Sequence, residues 1–170
     1  MNRKTKNILL IILFLAVIGI GIGYAALAQI LTINGTANIT ASWNVRISNI
    51  KENNLVGATS KTAAVVTGDK LSATFDVNLQ HPGASASYVV TVENAGTIDA
   101  ILESVTGIDE ANLKEPTDIS YSIDAKENDT LNSGNTKDYT VTVKWLETAT
   151  NVPENKTKSA TITLNYVQNT

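Results

Sequence analysis

The chain has 170 residues, no Cys, one His, 43% hydrophobic residues, and 13 Lys and Arg against 16 Asp and Glu. The absence of Cys excludes disulfide bracing, thiol redox chemistry and Cys-based lipidation. An acidic balance argues against a nucleic-acid partner, because phosphate contacts need clustered Lys and Arg.

Residues 1–28 read as an export signal. Arg3, Lys4 and Lys6 form a basic start, and Ile8 to Ile22 is apolar apart from glycines. Ala26-Leu27-Ala28 offers an A-x-A cleavage site and Gly23-Tyr24-Ala25 an earlier one, so cleavage near 25–28 is expected. The stretch Ile8–Ala28 has 21 residues, enough to span a bilayer if it stays uncut, and retention as a membrane anchor is the alternative. Removal takes away three basic residues, leaving ten against 16 acidic ones, a balance of −6. The remainder is expected to be secreted, in one domain large enough for a core.

From Leu31 to Ile47 the chain keeps a period of two. Leu31, Ile33, Gly35, Ala37, Ile39, Ala41, Trp43, Val45 and Ile47 alternate with polar residues. At about 3.3 Å per residue this ribbon is roughly 56 Å long, about three times an ordinary strand. A two-residue hairpin at Asn34-Gly35 would mix apolar and polar residues on each face, whereas a straight or bent ribbon keeps the apolar set on one side. Trp43 to Ile47 is therefore assigned to the home sheet and Gln29 to Ile39 to a projecting strand.

The same alternation recurs along residues 41–170, the expected globular domain. It marks strands through Phe75 and Val77, then Tyr88, Val90 and Val92, then Ile119, Tyr121 and Ile123, then Tyr139, Val141, Val143 and Trp145, and last Ile162 and Leu164. Turn residues separate them at His81-Pro82-Gly83, Asn94-Ala95-Gly96, Asn132-Ser133-Gly134 and Asn151-Val152-Pro153. DEANLKEP, residues 109–116, suits one or two helical turns. The pattern predicts an all-β protein, an antiparallel two-sheet sandwich of the jelly-roll or immunoglobulin-like kind behind an N-terminal hydrophobic helix. Its expected core comprises Trp43, Val45, Ile47, Phe75, Val77, Tyr88, Val90, Val92, Tyr139, Val141, Val143, Trp145, Ile162 and Leu164.

Catalytic signals are weak. His81 sits in a tight turn, no HExxH or G-x-S-x-G is present, and Asp109-Glu110 reads as a wet loop. No catalytic, cofactor-binding or metal-binding residue is assigned, and an enzyme is not expected.

Three features carry a resemblance: Gly23-Tyr24-Ala25-Ala26 ending the signal, the early strand Ala37–Ile47, and LQHPGASASYVVTVENAGTIDAILESV, residues 79–105. Together they resemble the TasA and camelysin family of exported biofilm-matrix fibre proteins. The resemblance implies a dedicated signal peptidase, a jelly-roll fold, and polymerisation by lending an N-terminal strand to the next subunit. On that reading residues 29–40 are a donor strand whose apolar positions are Leu31, Ile33, Ala37 and Ile39. The expected partners are copies of the chain itself and the export machinery, with membrane contact only through the N-terminal segment. The alternative is a monomeric or tethered surface module that binds a glycan or protein through loops such as 51–58 or 107–117.

Overall fold

The computed structural model describes residues 2–27, 35–148 and 158–169. It divides into two units, Met1–Ile39 and Thr40–Thr170. In the first, a helix α1 covers Arg3–Leu27. The apolar side chains from Ile8 to Ile18 stand exposed on it. Among the described residues no helix is long and apolar enough to cross a membrane. Residues 35–39, the described part of the expected projecting strand, form no strand, and Ala37 and Ile39 are exposed. Leu31 and Ile33 lie outside the described residues.

The second unit is mostly antiparallel β. Its strands are β1 Val45–Val56, β2 Ala58–Val66, β3 Ala73–Leu79, β4 Ser85–Asn94, β5 Ala100–Thr106, β6 Ile119–Ile123, β7 Thr130–Leu131, β8 Thr136–Trp145 and β9 Thr163–Gln168, with a short helix α2, Ile108–Leu113, between β5 and β6. They form a four-stranded sheet β1-β4-β8-β6, a pair β2-β3 and a three-stranded sheet β7-β5-β9. The expected helical turns fall on α2. Residues 51–58, read from sequence as a loop, instead belong to β1 and β2, which join through Gly57.

In β4 every second residue is buried, from Ala86 through Tyr88, Val90 and Val92 to Asn94. β8 answers with Tyr139, Val141, Val143 and Trp145. Because alternate side chains share a face, the four-stranded sheet gains one continuous apolar side, and both smaller sheets pack on it. One cluster joins Tyr88, Val90, Val141 and Val143 to Phe75, Val77 and Leu79 of β3 and to Ala160 and Ile162. The other joins Val92 and Tyr139 to Ala100, Leu102 and Leu131.

The expected core therefore holds at β4 and β8, whereas Val45, Ile47, Phe75, Val77, Ile162 and Leu164 are half-buried. Trp43 is a correction: it precedes β1 and is 41% exposed. Its phase matches the inward positions of β1, but the described residues cover it only in part. A second departure is Ile50, which is buried although it is out of phase with Val45 and Ile47. A bulge between Ile47 and Asn49 shifts the register by one residue and turns Ile50 inward.

Candidate functional site

The apolar side of the four-stranded sheet is roofed by two sheets that do not meet. β3 pairs with β2 along one edge, and β9 pairs with β5 along one edge. Among the described residues neither strand has a ladder partner on its other edge. Lys70–Phe75 and Ala160–Tyr166 flank a slot of about 660 Å³ between these edges. Its floor is Ile47, Val90, Val92, Val141 and Ile123, all apolar. It spans five residue steps along one wall and six along the other, roughly 17–20 Å.

The two walls run in opposite directions. The main-chain N–H of Ile47 donates to Lys70 O at 2.8 Å, Phe75 stacks on Tyr88 with ring centroids 4.3 Å apart, and Gln80 N–H donates to Gly57 O at 3.0 Å. Tyr88 stands opposite Glu52 of β1. β3 thus advances in the direction of β1, which is also that of β8, since both are antiparallel to β4. On the other wall, Ile162 packs in the cluster of Val141 and Val143, while the hydroxyl of Tyr166 meets that of Tyr139 at 2.7 Å. β9 therefore runs against β8. Any strand laid in the slot is antiparallel to one wall and parallel to the other.

The two ends differ. At one end Trp43 is 41% and Leu71 70% exposed, forming an open apolar mouth. Beside it Arg46 Nε donates to Glu93 Oε2 at 2.9 Å, and this hydrogen bond holds the Glu93 carboxyl below its ordinary range. At the other end stand Phe75, Ile50 and Tyr121, the last two under a tenth exposed. The Tyr121 hydroxyl donates to Lys158 O at 2.8 Å, and burial followed by the charge of nearby Asp76 pushes its pKa up. Lys158 Nζ donates to Ile119 O at 2.6 Å and Pro116 O at 3.0 Å, and burial pulls its pKa down. These bonds clamp the segment before β9 onto α2 and β6. Gly107 completes the wall: it has φ +93° and a Cβ there would lie 1.8 Å from Thr161 O, so only glycine lets that segment pass so close.

A second polar feature fixes where the chain enters the domain. Asn94 is fully buried; its Nδ2 donates to Ile98 O at 2.8 Å and Leu131 O at 3.0 Å, and its Oδ1 accepts Gly96 N–H at 3.0 Å. The turn so formed receives the incoming chain: Thr97 N–H donates to Ser42 O and Ala95 N–H to Asn44 O. A Cβ on Gly96 would stand 2.5 Å from Ser42 O. The chain is thus pinned from Ser42 onward.

The slot brings together the sequence-expected Trp43, Val45, Ile47, Phe75, Val90, Val92, Val141, Ile162 and Leu164. Tyr88 and Val77 lie in the adjoining cluster, Tyr139 in the second, and Val143 and Trp145 on β8 away from the slot. Ile50, Tyr121, Ile123 and Tyr166 also line it; the alternation of the last three was readable, but the inward turn of Ile50 and the convergence of all four on one gap were not. A smaller depression of about 500 Å³ between Ile50–Glu52 and Ser60–Ala64 has a mostly polar rim. His81 stays in its turn, with Nδ1 2.8 Å from Pro82 O and its ring over Gly57. Among the described residues no group of acidic or imidazole side chains could hold a metal ion. Compared with known proteins, the chain matches no protein-family model, no curated protein and no solved structure.

Proposed function

We propose that the chain is an exported structural subunit of cell-surface or matrix fibres, and that its globular unit is a two-layer sandwich lacking one strand, which the N-terminal segment of another copy supplies. The observation that carries this reading is the slot: two strand edges without a ladder partner among the described residues, flanking a gap of about 660 Å³ over an apolar floor. An incoming strand gains main-chain hydrogen bonds on both sides, and it removes a double edge that would otherwise invite unspecific pairing. The same chain contains a matching insert. If extended, the segment would carry Leu31, Ile33, Ala37 and Ile39 on one face by their alternation in sequence, and burying each of the three large ones is worth about 1.5–3 kcal/mol. Because the segment lent by one copy enters the next, the contact is head-to-tail and propagates as an open filament. Cleavage of residues 1–28 would free the segment, so assembly would follow export.

The test is negative-stain microscopy of protein expressed from the full chain and from one lacking residues 29–39. Filaments from the first and folded monomers from the second are expected. Filaments from the shortened chain would overturn the donor-strand mechanism. A wild-type chain that remains monomeric while capturing an extended peptide of another protein would leave the surface-binding alternative standing.

A further inference from the structure

We infer that the lent strand lies in the slot with one polarity, antiparallel to β3 and parallel to β9, its Ile39 end at the Trp43–Leu71 mouth and its Leu31 end against Tyr121 and Phe75. This rests on the fibre reading and adds to it the geometry of the joint between copies.

The argument begins with the tether. In the donor copy, Ser42 is fixed to the Thr97 turn by two hydrogen bonds, Thr97 N–H to Ser42 O at 2.9 Å and Ser42 N–H to Thr97 Oγ1 at 2.9 Å. Only Thr40 and Ala41 separate Ile39 from Ser42, three chain steps with a reach of at most about 11 Å. The donor's globular body must therefore stand within that distance of wherever Ile39 sits. At the walled end the space is occupied: α2, β6 and the Lys158–Thr161 segment are bound together there through Tyr121, Lys158 and Gly107. At the mouth two large apolar side chains, Trp43 and Leu71, stand exposed among the described residues. The second body is therefore placed at the mouth.

Direction then follows. From mouth to wall is the direction of β1 and β3, so a strand whose C-terminal end is at the mouth runs against β3 and along β9. Length agrees. Leu31 to Ile39 spans eight steps, about 26 Å, a little longer than the walls, which leaves Ile39 at or just beyond the rim where Trp43 and Leu71 stand. The mouth turn is held rigidly for this contact. Lys70 has φ +60°, and Asp69 accepts hydrogen bonds from the Thr67 hydroxyl and from Leu71 N–H at 3.0 Å. Leu71 is thereby presented outward in the structure of a single copy.

The chain has no Cys, so engineered thiols report cleanly. Full-length chains carrying Ile39→Cys with an affinity tag are co-assembled with untagged chains carrying either Leu71→Cys or Ala160→Cys, oxidised, and analysed without reductant. A covalent tagged–untagged dimer from the Leu71→Cys mixture and its loss in the Ala160→Cys mixture are expected. Leu31→Cys should show the reverse preference. Filaments in which Ile39→Cys joins Ala160→Cys, or neither partner, overturn the polarity while leaving the fibre reading intact. Absence of filaments from the wild-type chain removes the fibre reading and this inference together.

Discussion

Two regions of the globular unit are built from the same alternating grammar and end in different states. Around Ala100, Leu102, Leu131 and Tyr139 the second layer is continuous: β7, β5 and β9 lie edge to edge, and these side chains are 0–2% exposed. Around Ile47, Phe75 and Ile162 the second layer is interrupted, and residues of equal hydrophobicity remain half-buried. The difference lies in the covering strand, not in the covered residues. The closed region is finished within one chain, whereas the open one has its floor and both walls but, among the described residues, no strand between them.

This contrast is open to direct attack, and the largest effect is expected in the closed region. Leu102→Ala deletes a fully buried side chain and should cost about 2–5 kcal/mol in chemical denaturation. Ile47→Ala, on the slot floor, should cost a monomer less than half as much while abolishing filaments. Equal losses in the two monomers would erase the distinction between a finished and an unfinished core. Next in size is Asn94→Ala. It strips partners from the carbonyls of Ile98 and Leu131 and from Gly96 N–H, for an expected loss of about 1–3 kcal/mol.

Trp43→Ala sharpens the comparison at the mouth. With Trp43 41% exposed, the monomer's stability should change by less than about 1 kcal/mol, since surface replacements rarely do more. Assembly, in contrast, should weaken and lose the blue shift that burying Trp43 gives to fluorescence; Trp145, already 7% exposed, should contribute little to that shift.

The smallest effect concerns acid. Burial tends to raise the Asp129 carboxyl, but Lys137 Nζ at 2.8 Å and the Lys126 N–H at 3.1 Å outweigh it and hold the pKa below 3.8. A depressed folded-state value means that the stabilisation is complete above 3.8 and is lost as pH falls through the folded-state value. Asp129→Asn should therefore lower stability slightly at neutral pH, where the ionised carboxylate is stabilising, and flatten the fall below pH 3.8 so that variant and wild type converge in acid, as read from thermal melts across that range.

The sequence by itself determined the class of fold, the strands carrying Tyr88, Tyr121 and Tyr139, and which side chains of β4 and β8 turn inward, because period two is a local property of extended backbone. It also marked DEANLKEP as helical. It could not place Ile50, since a bulge is a pairing event between β1 and β4, nor distinguish Asn94 as a buried tie from Asn94 as an ordinary turn residue. It assigned Trp43 to the core from its phase, and phase states which face a residue occupies but not whether another layer covers that face. Only the tertiary structure decided that β3 and β9 belong to different sheets, run in opposite directions and stop short of each other. Strand partnership is settled by non-local hydrogen bonding among edges that are far apart in the chain, and the gap it leaves has no residue of its own to be read.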